Sequence, residues 1–448
     1  MKKENIIQLI VILILIIILG SLIYLTVSEI NSKNNRTGNM QEGGSMQQMP
    51  NGSNGSSSVE TSGATEITDT QTLQEKYTST TSDESAIKVS DGGNATLDGV
   101  TVTKTGDSTN TENSEFYGVN AGILTTENST TTIKNSNITT DAKGANAVFA
   151  TGENSKVYVS DTTIQTTGEA SARGLDATYG GYIEADNVTI STKGGSCATL
   201  ATDRGEGTVI AKNSKLSTAG VGSPIIYSTG EITLEDSEGT ATGSQMCVIE
   251  GKNTATIQNS TLQCSGKGNR NNVDNAGIMI YQSMSGDAGE GTGTLNAKNS
   301  TLEITSDSSY YKTAPFFFIT NTKAVINLEN NTLKYGSNVL LKSEGTSEWG
   351  NSGNNGGEVT LNATNQVLTG NIEADNISSV EIKLEENSSL EGTINGENTA
   401  KEIKIVIDAN STITLTGDSY ITSLEDEDSS YSNINFNGYK LYVNGTAI

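Results

Sequence analysis

Four arginines occur in this chain, and two of them stand in phrases that could do chemistry. Arg173 lies in SARGLDATYGGY and Arg204 in LATDRGEG, together with Asp176, Tyr179, Tyr182 and Asp203. A guanidinium beside carboxylates can bind an acidic sugar, and Asp176 and Asp203 could hold Ca2+ between them. The plain alternative is that these opposite charges neutralise one another on a solvated face. The chain has no His, which removes the commonest general base, Ser-His triads and most zinc sites. A glycosidase would need two carboxylates roughly 5–10 Å apart across a cleft. With 52 acidic residues, a pair such as Asp203 with Glu206 or Asp176 is close to coincidence. Tyr227, Tyr281, Tyr310, Tyr311 and Trp349 could stack on sugar rings or simply edge the structure.

Whether the two arginine phrases meet depends on the elements that carry them, and a repeat defines those. IAKNSKLSTAG (Ile210–Gly220) returns as TIQNSTLQCSG (Thr256–Gly266). Aligned on its Asn, the same slot is held by Gly99, Asn135, Asp161, Asn187, Asn213, Asp236, Asn259, Asn299, Asn330 and Asn365. The residue two before the slot is always apolar, and the residue three after it is apolar in every unit except at Gly239. In a straight strand, residues five apart face opposite sides. Both flanks here read as core, so the slot must bend the chain. Asn, Asp and Gly are the types that tolerate a left-handed backbone. A Gly seven residues after the slot is read as permitting the next corner. A third apolar strand follows, as in GLDAT (Gly174–Thr178), ATLAT (Ala198–Thr202) and FFFIT (Phe316–Thr320).

Three short strands in a unit of roughly 23–26 residues describe one coil of a parallel β-helix. The expected fold is therefore an all-β solenoid in which identical positions stack, with the slot residues forming a side-chain ladder at the corners. Longer units carry inserted loops, such as Lys267–Asn275 and Ser343–Glu358. Arg173 and Arg204 then fall one coil apart and their acids share a face. A narrow solenoid also explains an apolar content of only 33%.

The remaining organisation is simple. Residues 1–5 form a basic tail, and Ile6–Val27 is an uncharged run long enough for a transmembrane signal-anchor, with a cleaved signal peptide as the alternative. Lys2 and Lys3 keep the N-terminus cytoplasmic and the rest extracellular. Residues 28–85 read as a flexible, disordered Gly/Ser/Asn/Thr-rich linker, 86–448 as the β-helix, and about 417–448 as its cap. A net charge of −25 argues against nucleic acid as partner. Cys197, Cys247 and Cys264 read as small buried hydrophobes.

With these residues in view, the chain resembles the right-handed parallel β-helix, pectate-lyase-like superfamily. More narrowly, it is similar to membrane-tethered surface β-helix proteins of Gram-positive bacteria. The Asn-Ser corners, SPIIYSTGEI (Ser223–Ile232), GIMIYQSMSGDAG (Gly277–Gly289) and the ending Gly417–Gly445 carry the resemblance. It implies a cell-surface repeat protein that binds carbohydrate or acts as an adhesin, without catalysis, its partners being the membrane through Ile6–Val27 and extracellular or cell-wall polysaccharide. No cofactor is expected, the one candidate being Ca2+ held by Asp176 and Asp203. The alternatives are a Ca2+-dependent pectate-type lyase, with Arg173 or Arg204 as base, and a structural spacer with no glycan ligand.

Overall fold

A computed structural model describes residues 59–448. The basic tail, the apolar run Ile6–Val27 and the first part of the linker lie outside them. Among the described residues, no helix is long and apolar enough to cross a membrane.

The chain winds as a solenoid whose coils feed three long parallel sheets, and in the last coils the strand after the slot, from Val367–Thr369 onward, joins a separate four-stranded sheet. Sheet A has 12 strands, sheet B 14 and sheet C 10, and each strand pairs with its counterparts one coil before and one coil after. This is the strand arrangement of a parallel β-helix. Sheet B carries the residues before the slot, as in Thr208–Lys212, and sheet C those after it, as in Lys215–Thr218. Sheet A holds the third strand, as in Leu175–Thr178 and Leu200–Thr202. At strand spacing, 14 rungs make a stack roughly 60 Å long. One core column of small aliphatic side chains runs from Ile67 to Leu441.

The array starts earlier than the linker reading placed it. Ser62–Ile67, Thr70–Leu73 and Lys76–Ser79 already form the first coil, and Glu84–Val89 begins the second. That coil buries little beyond Ile67, and its strands are Thr-rich and half exposed, so composition alone resembled a tether. Among the described residues it pairs on one side, through backbone rungs to the next coil. At the far end, Ser419–Ile421 pairs in parallel with Leu441–Val443, and Thr446–Ala447 then pairs antiparallel. The reversal stops the parallel ladder, and Tyr420 stacks on Tyr442 at 4.8 Å.

The corners explain the repeated phrase. The nine slot residues from Asn135 to Asn365 have φ between 47° and 53°. Their side chains, however, form only a broken ladder. Asn187 donates to Asp161 at 2.7 Å, Asn299 to Asn259 at 3.3 Å and Asn330 to Asn299 at 2.9 Å. Asn135 and Asn213 reach instead to Asp98 and Asp186, one residue before the neighbouring slot.

From Val188 onward a continuous ladder lies one residue further on, inside the stack. Val188 N–H donates to Ser214 Oγ at 3.2 Å, Ser214 N–H to Ser237 Oγ at 2.9 Å, and Ser237 N–H to Ser260 Oγ at 3.1 Å. Ser260 N–H donates to Ser300 Oγ at 3.1 Å, and Asn331 and Gln366 continue the series with amide oxygens. Each of Ser214, Ser237 and Ser260 also donates its own hydroxyl to the carbonyl two residues back, at 2.6 Å. The turn breaks the sheet hydrogen bonds, and these buried hydroxyls satisfy the backbone groups left over.

The glycines seven residues after the slot do different work from that expected. Only Gly106 and Gly266 among them have positive φ. At Gly168, Gly194 and Gly220 a Cβ would lie 1.8–1.9 Å from a carbonyl oxygen of the preceding coil. Close stacking of backbones, rather than a left-handed turn, requires glycine there.

Candidate functional site

Side chains alternate along sheet A. Leu175 and Ala177 enter the core column, so Asp176 between them points outward. Register then stacks Leu124, Phe149, Asp176, Ala201, Tyr227, Val248, Met279, Phe318 and Lys342 in one outer column. Two apolar patches on this face are covered by insertions. The helix Thr111–Tyr117, capped by Asn110 and by Gly118 at φ 68°, lies at the Leu124–Phe149 end. Loop residues Val273, Ala276 and Trp349 cover Val248, Met279 and Phe318.

A buried polar cluster sits between the two patches. Arg173 Nη1 donates to Asp176 Oδ2 and Asp203 Oδ2, both at 2.7 Å. All three side chains are at most 7% exposed. Ala201 is next to Asp176 in the column. Burial pushes Asp176 up to about 6 and Asp203 up to about 7, because one Arg173 is shared by two acids and Glu115 adds further negative charge. Burial opposes the charged form of Arg173, yet Asp176 and Asp203 outweigh it and hold the guanidinium well above its ordinary pKa. The Arg173 guanidinium carbon lies 5.6 Å from the centroid of Tyr227.

The other predicted site residues go elsewhere. Arg204 turns away, bonding Asp287 at 2.6 Å and approaching Glu112 at 3.6 Å, with its guanidinium carbon 3.8 Å from the centre of Phe116. It thereby ties the helix insertion to the Gln282–Glu290 loop. Tyr179 stacks on Tyr117 at 5.4 Å. Tyr182 belongs to sheet B, where it donates to Glu184 at 2.9 Å. The six residues therefore do not form one patch; Arg173, Asp176 and Asp203 do. The Ca2+ expectation at Asp176 and Asp203 gives way to an ion triad, since Arg173 engages both acids. Among the described residues, no group of three or more His, Cys, Asp or Glu is placed to hold a metal ion. Cys197, Cys247 and Cys264 are buried and free.

Of the proposed stacking aromatics, Tyr227, Tyr281 and Trp349 gather on the outer face, whereas Tyr310 and Tyr311 pack against the main core. Tyr281 meets Trp349 edge-on at 5.1 Å. Sequence reasoning missed two features here. One is Glu250, 1% exposed, whose Oε2 accepts the hydroxyls of both Tyr227 and Tyr281 at 2.8 Å. The other is an open groove of about 510 Å³ further along the same face, where the covering loops stop. Its walls include Lys342, Asn371, Glu373, Thr393, Asn395 and Glu397. Lys342 pairs with Glu344 at 2.8 Å; burial raises Glu373, Lys342 offsets part of this, and Glu344 and Glu397 add to the rise. The usable signal was positional: Glu250 and Glu373 both stand at outward positions of third strands, in the phrases CVIEG and NIEA, with Glu373 in the column of Val248.

No protein-family model matches the chain, and no curated protein matches it at a significant level.

Proposed function

We propose that this protein is a non-catalytic, membrane-anchored surface β-helix that binds polysaccharide, with the right-handed winding of pectate-lyase-like proteins. The observation that carries the reading is the open groove on the outer face of sheet A. Its walls are amide, hydroxyl and carboxylate groups, the donors and acceptors that sugar hydroxyls need, and a groove of about 510 Å³ has room for one to two sugar rings. The long Ile6–Val27 run and the strong net negative charge support a tethered, extracellular placement.

What speaks against a lyase is the state of the arginines. A general base must give up its proton near neutral pH. Arg173 is buried between two carboxylates and Arg204 is paired with Asp287, and both are held above the ordinary arginine pKa. The groove's own carboxylates favour neutral glycans over polyuronates.

Affinity electrophoresis tests the reading. The full chain in neutral detergent is run through gels containing a cellulose derivative, xylan, pectate or no glycan, with Ca2+ or EDTA. Retardation by a neutral glycan, weakened in Asn371→Ala and Glu373→Gln, is the expected result. Free migration in every gel would leave a spacer role and sink the glycan-binding reading.

A further inference from the structure

Sheet C does not run the length of the stack. Its last strand is Thr332–Lys334, and the matching strand of the next coil, Val367–Thr369, is the first of the four-stranded sheet. Among the described residues, no strand pairing joins these two, although sheet B pairs eight residues between the same coils. A side chain explains the break. In the coils before it, the carbonyl after the slot accepts a backbone N–H of the next coil: Ser260 from Thr301 at 2.9 Å, and Ser300 from Thr332 at 2.8 Å. The Asn331 carbonyl instead accepts Nε2 of Gln366 at 2.9 Å, while Gln366 Oε1 takes the Asn331 N–H at 2.7 Å. The inserted amide satisfies both backbone groups, and the strands that follow stay unpaired. Further along the gap, the Tyr335 hydroxyl donates to the Thr369 carbonyl.

A groove of about 450 Å³ lies at this break. Tyr311, Leu333 and Tyr335 give it apolar walls, and Glu303, Lys334 and Thr369 give it polar ones. Val367, on the same face of its strand as Thr369, is 66% exposed. Aromatic and aliphatic surface beside hydrogen-bonding groups suits a sugar ring.

This groove adjoins the one on sheet A. Thr369 lines the first, and Asn371 and Glu373 line the second. The extended chain from Thr369 to Glu373 spans at most about 14 Å. Gly370 stands at the junction with φ 122°, and a Cβ there would lie 2.3 Å from the Tyr335 hydroxyl. Glycine thus lets the aromatic side chain lie against the corner, and no side chain at that position separates the grooves.

We propose that the two grooves form one track, which holds an extended oligosaccharide around the corner from the sheet C side to sheet A. The ligand is then the interior of a linear glycan rather than a terminal sugar. The proposal rests on the glycan-binding reading of the sheet A groove and specifies its ligand. Each groove has room for one to two rings, so a disaccharide fills one groove and a longer chain is needed to engage both.

Isothermal titration of the full chain in neutral detergent tests this with cellobiose, cellotetraose and cellohexaose, and with the matching xylo-oligosaccharides. In the series that binds, the longest chain should bind at least about tenfold more tightly than the disaccharide. Thr369→Arg places a long side chain in the first groove from an exposed position and should abolish that gain. Equal affinity at every length would overturn the track and leave the glycan-binding reading standing. A length gain that persists in Thr369→Arg would also overturn it. Binding of no oligosaccharide in either series would sink the track together with the reading beneath it.

Discussion

Replacing Arg173 by Met should make the stability of this β-helix steeply dependent on pH. The side chain keeps its apolar stem and loses the charge that Asp176 and Asp203 share at 2.7 Å each. Two carboxylates are then left buried without a counterion. Breaking a buried pair in this way costs about 3–5 kcal/mol. The cost applies only while the acids are ionised. In the intact protein Asp176 is raised to about 6 and Asp203 to about 7, above the ordinary carboxylate value. A group raised on folding leaves stability intact below its unfolded pKa and removes it as pH climbs through the folded pKa. The window therefore runs from about pH 4 to pH 7, and without Arg173 it moves higher.

Asp176→Asn supplies the opposite arm. It keeps an oxygen for Arg173 and removes one negative charge, while the new amide nitrogen at the unpartnered position offsets part of the gain. A folded pKa near 6 against about 3.9 unfolded corresponds to at most about 3 kcal/mol at pH 8, which this variant should recover in part. Urea unfolding followed by Trp349 fluorescence measures both variants against the parent at pH 5 and pH 8. Arg173→Met should lose several times more stability at pH 8 than at pH 5, and Asp176→Asn should be the more stable chain at pH 8. An equal loss for Arg173→Met at both pH values would show that packing, rather than charge, sets the cost, and the account of the triad would fail.

The remaining predictions concern the corners and the core. Ser214→Ala removes the acceptor of the Val188 N–H and should cost about 1–3 kcal/mol, read as a roughly 5- to 150-fold loss of hydrogen-exchange protection at Val188. At the slot itself, Asn213→Gly should be nearly neutral while Asn213→Ala costs about 1 kcal/mol, because φ is 50° there; paired urea titrations distinguish them. Lys104 is fully buried and donates to the carbonyls of Thr81 and Gly106 at 2.9 Å, so Lys104→Met should lower the melting temperature and expose the first coils to proteolysis.

The fold was legible in the sequence because a solenoid writes its periodicity into every coil. Slot residues at a fixed distance from apolar flanks leave few other ways to bury both flanks. The same periodicity misdirected attention to Asn. The Asn of each phrase is visible because the left-handed turn admits few residue types, but it is exposed, and the longer hydrogen-bond chain, interrupted at Val188, runs through the less selective residue after it. That position accepts Ser at 214, 237 and 260, Asn at 331 and Gln at 366, since any side chain with a reachable oxygen serves. The first coil was missed for the complementary reason: its strands bury too little to show an apolar period.

The site was less legible, and the cause is where the insertions go. The corner between sheets B and C is a two-residue turn through most of the stack, because the slot and the buried hydroxyl must both stay in register; an insertion there would interrupt the ladder. The edges of sheet A carry no such ladder. The extra residues of the long units therefore collect on both sides of it: the helix segment before Ile123, the loops on either side of Ile278–Tyr281, and the loop between Val339–Ser343 and Gly357–Thr364. Each covers the outer face of sheet A and buries side chains that a bare coil would leave in water. Asp176 and Glu250 are ordinary outward strand positions by pattern, and only this covering makes them buried acids. Where the covering ends, beyond Trp349, the same face opens as the groove around Glu373. Sequence pattern sets the coils, whereas the burial that gives these carboxylates their chemistry comes from segments with no pattern to read.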